Sequence, residues 1–252
     1  MANSSSAIRK FNRFELKYLL PMAQADRFKE AIKPYLLVDQ YGDEQGNYAV
    51  TSLYYDSPEH HFYWEKIEGI KFRRKLRIRI YESAEPLMPG SQVFVEIKQR
   101  IDRVTQKRRV VLTYRDALKL CNERTMPDAY EAKDRLVLEE IQTMTWQYNL
   151  RPTTVVSYFR QAFIGTDYDV GLRVTFDTNL RYRVQDLQLH SKKIGRFMFP
   201  PKTAVMEIKA NERVPYWLTE LAGEQGIGLI RVSKYCQSLE VADLVPSTKY
   251  IS

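Results

Sequence analysis

The sequence predicts an α+β chain built on a mostly antiparallel β-sheet, curled so that its charged face lines an interior. Three observations lead to this reading. First, one strand pattern recurs in both halves of the chain: Phe14-Glu15-Leu16-Lys17, Val95-Glu96-Ile97-Lys98 and Met206-Glu207-Ile208-Lys209 each set a glutamate and a lysine two residues apart. Residues i and i+2 of a strand share a face, so each segment points a carboxylate and an ammonium one way and aliphatic side chains the other. Second, Leu76-Arg77-Ile78-Arg79-Ile80 does the same with two arginines, and Leu172-Arg173-Val174 with one. Third, no stretch reads as an interdomain linker, and many tilted strands can close into a barrel with a polar lumen. The expectation is an antiparallel β-barrel with a charged lumen, flanked by helices. Residues 1–10 are expected to be a flexible start, and 11–252 a single domain.

The elements follow in order. Phe11 to Leu20 reads as a strand, and Pro21 opens a helix to about Pro34, since proline suits a first helical turn. Asn47 to Tyr55 alternates and is rich in Tyr, Val and Thr, giving a strand that stops at Asp56-Ser57-Pro58. Glu59 to Ile67 reads as a short helix. Phe72–Glu82, Gln92–Arg100 and Thr105–Leu112 are strands, the last two joined by a turn at Ile101-Asp102-Arg103. Helical patterns cover Asp116–Glu123 and Tyr130–Tyr148. Strands resume at Thr153–Gly165, Leu172–Asp177 and Arg181–Val184. A polar loop spans 185–202, Ala204–Lys209 is a strand, and Pro215–Gln225 and Ser233–Leu244 close the chain as helices.

Charge narrows the function. The 252 residues carry a net charge of +8, which points to an anionic partner. Lys71, Arg73, Arg74, Lys75, Arg77 and Arg79 crowd together with no acid among them, and Arg100, Arg103, Lys107, Arg108 and Arg109 follow with only Asp102 between. Aliphatic residues alternate with Arg77 and Arg79, so this run is a strand with one charged face and not a disordered tail. Mean hydropathy is −0.45 and no apolar run reaches the ~18 residues of a membrane-spanning helix. Two cysteines, Cys121 and Cys236, make no disulfide framework and read as core thiols. Together with a polar N-terminus these features predict a cytoplasmic location. With only ten glycines and no P-loop or G-x-G-x-x-G, phosphate must be bound by cationic side chains. The histidines lack metal-ligand spacing. Glu207 is the first candidate metal ligand, the alternative being a salt-bridged lumen wall with Lys209. Glu15 and Glu96 are further candidates, and Asp177 reads as a turn carboxylate. The aromatic clusters Tyr54-Tyr55, Phe62-Tyr63-Trp64 and Tyr216-Trp217 lie mostly away from the arginine strands, so no nucleic-acid partner is expected.

The order of these segments resembles a known family. Phe14-Glu15-Leu16-Lys17-Tyr18, Leu53-Tyr54-Tyr55-Asp56, Leu76-Arg77-Ile78-Arg79-Ile80-Tyr81, Val95-Glu96-Ile97-Lys98, the Tyr158–Phe163 strand, Val170-Gly171-Leu172-Arg173, Val205-Met206-Glu207-Ile208-Lys209 and Ser233-Lys234-Tyr235 follow one another as in the catalytic domain of the vacuolar transporter chaperone (VTC) polyphosphate polymerases. The likeness is to the small stand-alone bacterial form and runs from about Phe11 to Leu244. That domain is a triphosphate tunnel metalloenzyme. The resemblance implies an antiparallel barrel tunnel in which ATP and a divalent metal, Mn2+ or Mg2+, bind, and the terminal phosphoryl group passes to a growing polyphosphate chain. It implies that Lys17, Arg77, Arg79, Lys98, Arg160, Arg173, Lys209 and Lys234 contact phosphate, with Lys107, Arg109 and Arg231 as further bases. Of these, Arg77, Arg79, Lys98 and Lys209 are taken as catalytic. Glu207 corresponds to the metal carboxylate. The tunnel hydrolases carry Glu-x-Glu-x-Lys in their first strand, whereas here Arg13 stands where the first glutamate would be, which fits the more basic polymerase branch. Coupling of synthesis to membrane translocation would call on a membrane-protein partner. The rival readings are a tunnel triphosphatase, a noncatalytic polyphosphate- or nucleotide-binding module, and an RNA-binding protein.

Overall fold

The computed structural model describes residues 13–81, 85–102, 104–211 and 213–246. The expected flexible start at 1–10, the strand beginning at Phe11, and Glu82 and Arg103 lie outside the described residues. Among these residues ten strands form one antiparallel sheet: β1 (Arg13–Pro21), β2 (Leu36–Val38), β3 (Asn47–Asp56), β4 (Phe72–Tyr81), β5 (Gln92–Ile101), β6 (Val104–Thr113), β7 (Arg151–Gly165), β8 (Arg173–Arg183), β9 (Arg196–Phe197) and β10 (Thr203–Asn211). The main path runs β1-β10-β8-β7-β3-β4-β5-β6, with β2 added to β7 and β9 to β8.

Among the described residues six α-helices flank the sheet: α1 (Met22–Ile32), α2 (His61–Ile67), α3 (Tyr114–Leu118), α4 (Arg135–Gln147), α5 (Tyr216–Glu224) and α6 (Lys234–Val241). Pro21 starts α1 as its sequence suggests, and Ala25, Phe28 and Ile32 form its buried face. The aliphatic strand faces pack outward against helices. Leu76, Ile78, Val93, Val95 and Ile97 form one core with α3 and α4, and Val174, Phe176, Met206 and Ile208 form another with α1 and α5. The third core is different in kind. Here α6 brings Tyr235, Cys236 and Leu239 against Tyr54, Val156, Tyr158 and Val205, which stand on the same strand faces as the charged residues. One end of the concave side is therefore filled by a helix.

Several sequence expectations need correction. A fully hydrogen-bonded barrel does not form among the described residues, because no ladder joins β6 to β1. The sheet is nonetheless rolled: Lys98 on β5 reaches Glu15 on β1, at the far side of the strand order, at 2.9 Å. The open edge of β1 is covered in part by the segment before α6, where the Ile230 N–H donates to the Lys17 carbonyl. The expected break after Asp177 is absent; β8 continues through it, and the Thr178-Asn179 turn signal marks a bulge with Asn179 at φ 51°. The helix expected from Asp116 starts at Tyr114 and widens into a π-turn over Lys119–Glu123. The helix expected from Tyr130 starts at Arg135 after a 3-10 turn over Ala132–Asp134. β2 and β9 are too short to leave a periodic signal.

Candidate functional site: a charged lumen

The concave face is built by strand alternation. On β4, Lys75, Arg77 and Arg79 point inward with Leu76 and Ile78 behind them in the core. β5 contributes Glu96 and Lys98, β6 Lys107 and Arg109, β7 Tyr158 and Arg160, β8 Arg173 and Asp177, β10 Glu207 and Lys209, and β1 Glu15 and Lys17. Register then decides who meets whom. Lys98 stands directly opposite Lys75 on β4 and Lys107 on β6, a row of three lysines across adjacent strands. Like charges directly opposite one another destabilise a sheet. The three ammonium groups splay apart: Lys75 donates to Ser233 Oγ at 2.6 Å, Lys98 to Glu15 at 2.9 Å and Lys107 to Glu96 at 3.2 Å.

Four carboxylates are embedded among these cations. Glu96, 1% exposed, accepts from Arg77 at 2.8 Å and from Lys107. Asp177, fully buried, takes a bidentate grip from Arg160 at 2.6 and 2.8 Å and an ion pair from Lys234 at 2.6 Å. It is a lumen carboxylate and not the turn residue that its Thr178-Asn179 neighbours suggest. Glu207 meets Lys209 at 2.7 Å and Lys17 at 3.2 Å, and Lys17 also meets Glu15 at 3.1 Å. Arg79 donates to Ser52 Oγ at 3.0 Å and to the Tyr158 hydroxyl at 3.2 Å.

Burial works to raise the carboxyl pKa values, yet the cations win. Lys98 and Lys17 hold Glu15 at about 2, Arg77, Arg79 and Lys107 hold Glu96 at about 2, and Lys209, Lys17 and Lys234 hold Glu207 well below the usual range. Lys209 is pushed down to about 8 by burial, with Arg160 and Lys98 adding to the effect against the attraction of Glu207. Lys98 is lowered by burial and by Lys17. Burial likewise disfavours the charged form of Lys17 and Lys234, but Glu207 and Glu15 raise the first and Asp177 and Glu207 the second, so the lysines divide by how closely carboxylates hold them.

The sequence-expected residues divide into four groups. Lys17, Arg77, Arg79, Lys98, Arg160, Lys209 and Lys234 gather in the lumen with Glu15, Glu96 and Glu207. Lys107 and Arg109 stand on the edge strand β6 and are exposed, Arg109 lying 4.7 Å over the Phe94 ring. Arg173 sits at a rim, paired with Asp39 at 2.6 Å and donating to the Tyr48 hydroxyl at 2.9 Å. Arg231 is exposed in the coil before α6. Sequence reasoning missed Lys75, which has the same parity as Arg77 and could have been found from it. It also missed the phenols Tyr54 and Tyr158. The Tyr54 hydroxyl accepts from Arg77 at 3.0 Å, and despite burial Arg77, Arg79 and Lys75 bring its pKa down to about 8. The Asp56 and Tyr235 of two family-like motifs serve the fold: Asp56 accepts from the Ser57, Phe62 and Tyr63 amides and from the Tyr235 hydroxyl, tying α6 to the end of β3.

The carboxylates are the candidate donors for a divalent cation. Among the described residues no three His, Cys, Asp or Glu side chains converge as a metal site. Glu207 and Glu15 do converge on one point, both contacting Lys17. Mg2+ and Mn2+ commonly take one or two carboxylates and complete their shell with phosphate oxygens and water. The residues thus fit a cation that arrives with phosphate, not a resident centre. Glu96 has both oxygens engaged by Arg77 and Lys107.

Comparison with known proteins agrees with this geometry. The VTC domain matches residues 12–242, and the chain belongs to that family. The structure is similar to that of a putative adenylyl cyclase from Hippeastrum described as having a dominant triphosphatase activity, at 16% identity and a TM-score of 0.50, covering 93% of this chain and 98% of that one. A putative adenylate cyclase from Vibrio parahaemolyticus aligns at 12% identity and a TM-score of 0.45, over 90% of this chain and 97% of that one. No curated protein matches the chain. The fold is shared with the Hippeastrum protein. No described helix is long and apolar enough to cross a membrane.

Proposed function

We propose that the chain is a polyphosphate polymerase, transferring the terminal phosphoryl group of ATP to a growing polyphosphate chain within the lumen, in one domain over 11–252. The observation that carries this reading is the row Lys75, Lys98 and Lys107, three lysines in direct register on three adjacent inward faces. Such a row is unfavourable when empty and favourable around a polyanion. Membership of the VTC family supports the same substrate class.

Phosphoryl transfer needs positioning and charge neutralisation more than covalent chemistry. Arg77, Arg79, Lys98 and Lys209 would neutralise the transferred group from β4, β5 and β10. Arg160 and Lys234, both held by Asp177, would add to the same anion site from β7 and α6. Lys17 keeps Glu15 and Glu207 side by side, and these two would hold a divalent cation, which when bound screens the phosphate oxygens. A terminal phosphate is already an anionic nucleophile, so no general base is required of the protein. The second reading, transfer to water, rests on the fold shared with the Hippeastrum protein. Incubation with ATP and Mn2+ followed by gel analysis separates them: long polyphosphate is expected, and orthophosphate alone would replace polymerase with triphosphatase. Ligand binding without turnover would make the domain a binding module. The reading further has the domain working in the cytoplasm, with a membrane-protein partner where the product is to be translocated.

A further inference from the structure

The end of the lumen away from α6 has a composition of its own. Tyr48 on β3, Tyr81 on β4 and Phe94 on β5 continue the inward-facing rows, and Tyr41 leans in from the loop between β2 and β3. The rings touch edge to face: Tyr41–Tyr81 centroids are 5.1 Å apart, Tyr41–Tyr48 5.4 Å, Tyr81–Phe94 5.5 Å and Tyr48–Tyr81 5.7 Å. A core cluster would be sealed, but all four keep solvent exposure and Tyr41 is 58% exposed.

Register welds this group to the cations. Tyr48 stands directly opposite Arg160, and Phe94 directly opposite Arg79. Side chains so opposed are neighbours on the sheet surface. The loop carrying Tyr41 is held in place: Asp39 accepts from the Tyr41 amide at 3.1 Å while pairing with Arg173, and Asp43 accepts from the Gln45 and Asn47 amides at 2.9 and 2.8 Å. Gly46 makes the return at φ 73°.

Resting on the triphosphate reading above, we infer that this aromatic mouth, Tyr41, Tyr48, Tyr81 and Phe94, is the subsite for the base of a nucleoside triphosphate. The argument is one of polarity along the lumen. Phosphates held by Arg79 and Arg160 must leave the nucleoside at one end or the other. The α6 end is filled by Tyr235, Cys236 and Leu239. At the opposite end the next side chains past the arginines are aromatic, and every base has a π-face to offer them whatever its hydrogen-bonding edge. The mouth therefore selects nucleotides over inorganic phosphate chains while discriminating weakly between bases.

The test compares two ligands on the full chain. Ethenoadenosine triphosphate reports stacking through quenching of its fluorescence; inorganic tripolyphosphate, measured by calorimetry, carries the phosphates without a base. Tyr81→Ala and, on the exposed loop, Tyr41→Ser should each weaken the etheno-nucleotide by roughly five- to tenfold and abolish its quenching, with tripolyphosphate affinity unchanged. Unchanged tripolyphosphate affinity also shows that the variants are folded. Parallel losses for both ligands, or no loss for either, would overturn the subsite while leaving the lumen reading intact. Failure of the wild-type chain to bind either ligand would overturn both.

Discussion

Replacing Arg77 by alanine should destabilise the protein, and the cause can be isolated by pH. Arg77 donates to the 1%-exposed Glu96 through Nε at 2.8 Å and Nη2 at 2.6 Å. Removing one partner of a buried pair leaves a charge without compensation, which typically costs 3–5 kcal/mol. Lys107 remains 3.2 Å from Glu96 after the substitution, which argues for the lower end. A second route gives the same scale. Glu96 sits at about 2 against an ordinary 4.5, and at 1.36 kcal/mol per unit the surrounding cations favour its charged form by about 3 kcal/mol. For a chain of this size that corresponds to a melting point lower by roughly 6–12 °C near neutral pH.

The sign of the pH dependence follows from linkage. With its folded-state pKa depressed, Glu96 contributes stability above its unfolded value of 4.5, and that stability is lost as pH falls toward about 2. In Arg77→Ala the depression is smaller, with Arg79 and Lys107 left to hold it, so there is less to lose. Calorimetric melting curves of the two proteins should stand well apart at pH 7 and converge between pH 4.5 and 2. Arg77→Ala combined with Glu96→Gln should recover most of the melting point at pH 7 but not phosphate affinity. A single variant that melts like the wild type at pH 7, or a gap that stays constant with pH, would refute the ion pair as the stabilising element.

Other outcomes follow from the same geometry. Lys98→Met removes the middle lysine of the opposed row, so the ligand-free protein should melt higher while tripolyphosphate raises its melting point less than in wild type; a lower ligand-free melting point with an unchanged ligand shift would contradict the row's role. Lys209, at about 8 in the empty lumen, should take up a proton when an anion binds, so tripolyphosphate affinity should fall as pH rises above 8; calorimetry in buffers of different ionisation enthalpy reads the proton directly, and Lys209→Met should abolish the effect. Glu207→Gln should raise the metal concentration needed for turnover while leaving metal-free tripolyphosphate binding intact, and an unchanged metal titration would leave Glu207 as a structural ion-pair partner only. Tyr235→Phe removes one hydrogen bond to buried Asp56, which should cost about 1–2 kcal/mol in a denaturant titration and loosen α6 without touching the central cations.

Much of the fold could be read from alternation. Strand parity assigned Lys17, Arg77, Arg79, Lys98 and Lys209 to one face, because a period of two admits only one face once the aliphatic residues are committed to the core, and the same parity applied to Lys75 would have added it. The same logic failed at Asp177. Thr178-Asn179 carries a turn signal, but a left-handed residue inside a long strand makes a bulge as well as a turn, and only the neighbouring strands β7 and β10 decide between them. Closure of the sheet was likewise beyond the pattern, since no residue in β1 or β6 encodes whether the two edges meet.

The three near-copies of the Glu-Xaa-Lys strand show where sequence stops and register begins. Glu15–Lys17 and Glu207–Lys209 form the ion pair within the strand that their spacing allows, at 3.1 and 2.7 Å. In β5, Glu96 is flanked by Arg77 on β4 and Arg109 on β6, and it turns sideways to Arg77 and to Lys107. Lys98 loses its own glutamate, finds Lys75 and Lys107 opposite, and must cross the lumen to Glu15. Identical local chemistry thus yields two neutralised lysine–glutamate pairs and one lysine held by a distant carboxylate. An incoming phosphate competes for Lys98 against that long-range partner alone, whereas Lys17 is held by two carboxylates at once. On this argument Lys98 exchanges its partner most readily when a polyanion enters, and Lys17 stays behind to keep Glu15 and Glu207 in place.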